Sequence, residues 1–210
     1  MGASVKIPVR MTADEFMAWD PGDGRPWQLV DGVPEAMAPT NRTHGALQNE
    51  LGRLLGNHFA ERRSPCSAIA NPGIVPRVQA GHNVRIPDLA VTCTPYTSEE
   101  SLLADPWASF AGLPSGGCRS AALLVVEILS PSTQPETWSN VWTYTSIPSV
   151  QEIVVLRGAS IGAEVLRRRA DGVWPERPEV VTEGELVLES VGFRAPIAAL
   201  YRTTRLAPGA

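Results

Sequence analysis

The sequence predicts an α+β domain with a central mixed β-sheet. Three observations carry that reading. Ala121 to Leu129 is an almost unbroken apolar run, as expected of a strand buried on both faces. Before it, Leu47, Leu51, Leu54, Leu55 and Phe59 form one stripe of an amphipathic helix spanning about Thr43 to Arg62. After it comes a helix signal, then two strand-like runs, Gln151 to Leu156 and Ala163 to Arg169.

The remaining elements follow in order. Thr12-Ala13-Asp14-Glu15 is a capping box, so a short helix starts there and ends before Pro21. Trp27 to Val30 and Val33 to Met37 flank Asp31-Gly32, a hairpin signal. Gly73 to Val78 and Asp88 to Thr92 read as strands. Residues 95–120 carry Pro95, Gly112, Gly116 and Gly117 and read as an insertion loop. Thr133-Gln134-Pro135-Glu136 is a second capping box, opening a helix to about Thr145. Asp171-Gly172 turns the chain, and Ile197 to Tyr201 reads as a short docking turn.

The 210 residues fit a single domain, 1–210, and a hydrophobic fraction of 43% supports a real core. No apolar run reaches the ~20 residues that span a bilayer. Met1 to Arg10 lacks the apolar segment of a signal peptide. Cys66, Cys93 and Cys118 show no paired spacing and read as unbridged thiols in a reducing, cytoplasmic setting. A net charge of −4 excludes a basic, nonspecific nucleic-acid coat, though not a nuclease with an acidic metal site. Lys6 is the sole lysine among 18 cationic residues.

Glu127 is the anomaly within the apolar run. A carboxylate inside a buried strand needs a partner, a metal or a raised pKa. It reads either as the partner of a distant arginine such as Arg85, or as a ligand for Mg²⁺ or Mn²⁺. Asp88 alone reads as a strand-opening cap. On a strand beside Glu127, it reads as a second ligand aimed at the same ion. His44, just before the long helix, reads as a cap or surface residue. The run Arg167-Arg168-Arg169 reads as charge that discourages edge pairing.

Several segments together resemble the Uma-two family of restriction-type endonucleases, also called domain of unknown function 820. They are Gln28 to Gly32, Met37-Ala38-Pro39, His44, Val84 to Val91, Val126 to Thr133, Tyr144 and Pro148 to Glu152, spread over residues 11–201. The resemblance implies the PD-(D/E)xK, restriction-endonuclease-like fold and a Mg²⁺-dependent phosphodiesterase site. It implies Asp88, Glu127 and the Ile128 carbonyl as metal ligands, with Gln28, His44, Asn140 and Tyr144 completing the site. Two positions depart from the family pattern. Asn140 stands where the family has a lysine, four residues before the tyrosine, and Gln28 stands where it usually has glutamate.

Two functions from different classes follow. One is an endonuclease that hydrolyses DNA phosphodiester bonds, as a homodimer where both strands are cut. The other is a nuclease-like module that binds nucleic acid or protein without cleaving. A purely structural role for the acids is the third reading. Retained Asp88 and Glu127 favour the first; the missing lysine favours the second.

Overall fold

The computed structural model describes residues 10–93, 122–130 and 134–207. The expected insertion at 95–120, Cys118, Lys6 and the Thr133 cap lie outside them.

The chain opens with helix α1 (Ala13–Ala18), whose Thr12 and Glu15 form the expected capping box. Strands β1 (Trp27–Val30) and β2 (Val33–Ala36) pair as a hairpin. Its turn holds Asp31 at φ 48° and Gly32 at φ 85°, the two positive φ values a type I′ turn requires. Helix α2 (Arg42–Glu61) follows, capped by the Asn41 side chain on the His44 N–H.

The central sheet has six strands in the order β3-β4-β5-β6-β7-β8. They are β3 (Ser67–Ala70), β4 (Leu89–Thr92), β5 (Ala122–Leu129), β6 (Glu152–Arg157), β7 (Ala163–Arg167) and β8 (Glu179–Val181). Only β5 and β6 run parallel, joined through helix α3 (Gln134–Tyr144); the other neighbours are antiparallel. The sheet is therefore mixed, as the sequence predicts. A hairpin of β9 (Glu185–Leu188) and β10 (Phe193–Pro196) and a 3₁₀ turn at Ile197–Tyr201 complete the fold.

Alternation along β5 divides its side chains between two cores. Leu124, Val126 and Ile128 pack with Leu47, Leu51 and Leu55 of α2. Val125 packs with Val141 and Tyr144 of α3. Glu127 shares the parity of Val125, so it enters the α3 side.

Four expectations need correction. Gly73 to Val78 is not a strand: Ile74 makes only an isolated bridge to Arg85. The edge strand is instead Ser67–Ala70, whose small residues give little pattern. Cys66 and Cys93 are not free but joined by a disulfide. The β3–β4 register pairs Ser67 with Thr92, so the next pair outward is Cys66 and Cys93. With that pair bridged, the cysteine count no longer speaks for a reducing compartment. Finally, the arginine run does not guard an edge, because β7 is paired on both sides. Arg167 ion-pairs with buried Glu152 and with Glu179, and Arg168 donates to the carbonyls of Pro148 and Gly172.

Candidate active site

The register of β4 against β5 assembles the acidic centre. Leu89 pairs with Val126, so Asp88, one residue earlier, lies across from Glu127. The two carboxyl groups are within hydrogen-bonding reach of each other, and both residues are buried.

Asp88 is fixed from two directions. Its Oδ1 lies 2.7 Å from His44 Nε2, at the start of α2. Its Oδ2 accepts the Ile128 N–H at 2.7 Å. Its backbone carbonyl accepts from Gln48 Nε2 at 2.6 Å and from the Asn71 N–H at 3.1 Å. The start of β4 is thus tied to α2 as well as to the sheet.

Glu127 is held from α3. Tyr144 Oη donates to its Oε1 at 2.8 Å, and the Asn140 side chain also hydrogen-bonds to it. Asn140 and Tyr144 are four residues apart and so share one helical face. Burial, then the neighbouring Asp88 charge, pushes the Glu127 carboxyl well above the usual carboxylate range. The Tyr144 and Asn140 hydrogen bonds pull the other way. Burial and the adjacent Glu127 likewise raise the Tyr144 hydroxyl well above its ordinary value.

Gln28 lies on β1, separate from these direct contacts. Its Oε1 is buried without a hydrogen-bond partner among the described residues. Across from it stands Arg85, which the sequence offers only as a partner for Glu127. That pairing is not made: among the described residues no carboxylate lies at ion-pair distance from Arg85, and its Nε has no hydrogen-bond partner. Burial lowers the Arg85 guanidinium below its ordinary value, while Tyr144, Asp31, Glu35 and Glu127 act to raise it. Nothing local in the sequence marks Arg85 as buried. The signal was its place three residues before Asp88.

The donor chemistry fits a hard divalent cation. Among the described residues, no group of three or more His, Cys, Asp and Glu side chains is placed to hold a metal. Two apposed carboxylates and a backbone carbonyl are a different set, composed of oxygen alone, which suits Mg²⁺ or Mn²⁺ rather than zinc. Two buried carboxylates in contact also carry like charge that a cation offsets.

Beside this centre opens a cavity of about 310 Å³, bordered by Asn41, His44, Ile128 and Ser130 and by two exposed arginines, Arg42 and Arg205.

No curated protein shows significant similarity to the chain. A solved structure from Anabaena variabilis, described as "a putative nuclease belonging to DUF820", is similar to it over 91% of this chain and 97% of that one. The TM-score is 0.65 and the identity 16%, a likeness of fold. A family model described as "Putative restriction endonuclease" matches residues 13–198, so the chain belongs to the Uma2 family.

Proposed function

We propose that the protein is a Mg²⁺- or Mn²⁺-dependent endonuclease acting on DNA. The observation that carries this reading is the contact of Asp88 and Glu127 across β4 and β5, on buried, oxygen-only donors. With the Ile128 carbonyl, these residues would hold the ion. When bound, such an ion supplies the Lewis acidity that makes water a nucleophile at neutral pH and offsets phosphate charge.

The chain's own residues then have defined tasks. His44 and the Ile128 N–H fix the two Asp88 oxygens, so that the carboxylate cannot rotate away. Tyr144 and Asn140 do the same for Glu127. Arg42 and Arg205 give the neighbouring cavity a cationic rim suited to a nucleic-acid backbone. Hydrolysis forms one bond from water oxygen to phosphorus and breaks one phosphorus–oxygen ester bond. Of the two water protons, one passes to the leaving alcohol and one to solvent.

Cutting both strands of a duplex requires two centres, so a homodimer belongs to this proposal. Light scattering tests it, and a monomer at high concentration counts against it. The second reading is a module that binds nucleic acid or protein without cleavage. It is favoured by one observation: Asn140, at the family's lysine position, bears no charge. A supercoiled-plasmid nicking assay with and without Mn²⁺, run beside Asp88→Ala, separates the two. Mn²⁺-dependent nicking that Asp88→Ala abolishes supports the enzyme. Duplex binding without nicking supports the module.

A further inference from the structure

We propose that Arg85, held opposite Gln28 by the backbone register, is a catalytic residue that grips the reacting phosphate at the Asp88–Glu127 centre. The proposal rests on the nuclease reading above and assigns the charge that Asn140 cannot supply.

The backbone places the pair. Leu29 and Val84 exchange both hydrogen bonds, at 2.8 and 3.0 Å. The next pair inward is therefore Gln28 and Arg85, with side chains on a common face. Leu29 and Val84 point the other way, into the cluster around Met11 and Phe16. On its second edge Arg85 exchanges hydrogen bonds with Ile74, at 2.7 and 2.8 Å. Ile74 packs in the cluster that contains Tyr144. The Val84–Arg85 segment is thus clamped on both edges, with the Arg85 side chain toward α3 and the acidic centre, where Tyr144 and Glu127 feel its charge.

Among the described residues, no ion pair accounts for this side chain, and its Nε has no hydrogen-bond partner. Arg85 is 4% exposed. Buried arginines are ordinarily ion-paired and fully hydrogen-bonded. Among the described residues, its Nε is an orphaned donor, and Gln28 Oε1, across the bridge, is an orphaned acceptor. A buried guanidinium with an unfilled donor, set close enough to Tyr144 and Glu127 to interact with them, is the condition of an anion site beside the acidic centre. The ligand must be anionic and present paired oxygens to a planar fork, which describes a phosphodiester. A neutral glutamine at position 28 leaves the guanidinium charge unspent; a glutamate there would neutralise it.

The test uses the full chain and four variants: Asp88→Ala, Arg85→Met, Arg85→Lys, and Arg85→Met combined with Asn140→Lys. Plasmid nicking is measured in Mn²⁺. Binding of a short duplex is measured by fluorescence anisotropy in Ca²⁺, across a salt series. Melting temperature is recorded for each variant. The expected results are that Arg85→Met melts no lower than the parent, since an unpaired buried charge is removed, yet nicks roughly 100-fold more slowly. Its salt slope should fall by about one phosphate contact. Arg85→Lys should retain only part of the activity, for want of the fork. Adding Asn140→Lys to Arg85→Met should recover about tenfold.

A folded Arg85→Met that nicks within about threefold of the parent overturns the proposal. If Arg85→Met does not fold, Arg85→Lys decides, and parent-level nicking with an unchanged salt slope overturns it. Failure of the nuclease reading itself looks different: the parent does not nick, or Asp88→Ala nicks as well as the parent. The anisotropy arm then decides alone. A reduced salt slope in Arg85→Met keeps Arg85 as a phosphate contact, and an unchanged slope removes it.

Discussion

His44 Nε2 lies 2.7 Å from Asp88 Oδ1, a contact that ties the first turn of α2 to the entry of β4. Its partner oxygen is held by the Ile128 N–H on β5. Three elements therefore meet on one carboxylate, and none of them is adjacent in sequence.

This contact predicts the effect of His44→Ala. The variant should fold normally, since His44 is at the helix start and only its backbone N–H serves the Asn41 cap. Mn²⁺ affinity, measured by calorimetric titration, should fall by roughly 10- to 100-fold, as is usual when a group orienting a ligand is lost. Unchanged affinity would mean that Asp88 is oriented sufficiently by Ile128 alone.

Tyr144→Phe removes one hydrogen bond and nothing else. Tyr144 is fully buried and donates to Glu127 Oε1 at 2.8 Å. The bare ring still fills its place among Val125, Val141 and Ile153. Leaving the buried Glu127 oxygen short of a donor should cost about 1–3 kcal/mol. Urea unfolding measures the loss, and a variant as stable as the parent would show that Asn140 or water replaces the bond.

Acid stability should depend on Glu50. This buried residue of α2 is gripped by Arg53 and Arg202. Hydrogen bonds from those two arginines lower its pKa from 4.5 to about 2. A depressed carboxyl contributes stability that is present above its unfolded value and lost as pH falls through the folded one. Both arginines are about half-exposed, so screening reduces the effect to on the order of 1–2 kcal/mol. Glu50→Gln should therefore be less stable than the parent at pH 7, and the gap should close between about pH 4.5 and pH 2. Chemical denaturation at stepped pH reads it directly, and a gap constant across that window would sink the assignment.

Elements marked by local chemistry were legible in the sequence. The Asp31-Gly32 turn, the α2 stripe and the β5 run each carry their cause within a few residues, and each forms within one or two residues of its expected place. Glu127 stood out because a charge in an apolar strand is locally anomalous. What stayed hidden depends on register. Cys66 meets Cys93, and Gln28 meets Arg85, only after strands align, and no short window of sequence contains both partners. The same holds for Arg167, an unremarkable member of a basic run until β6 and β8 bring Glu152 and Glu179 to it. Strands β8, β9 and β10 are three or four residues long and too short for alternation to identify them.

Asn140→Lys is the substitution that asks most of the site. Asn140 is on α3, one turn before Tyr144, and already reaches Glu127 by a hydrogen bond. A lysine on the same backbone would place an ammonium beside Glu127 and Asp88. Its charge would offset the repulsion between the two carboxylates and stabilise negative charge on a bound phosphate. If the protein is a slow nuclease, Mn²⁺-dependent nicking should rise by one to two orders of magnitude, roughly 1.4–2.8 kcal/mol of transition-state stabilisation. If it is a binding module, nicking should stay absent while duplex affinity tightens and the salt slope steepens by about one contact. Because the ammonium can also pair with Glu127 and compete with the cation there, Mn²⁺ affinity should be measured beside both. A rise in nicking with weakened Mn²⁺ binding would still support the charge as the missing element. No change in nicking, in duplex affinity or in salt slope would show that position 140 has no contact with substrate.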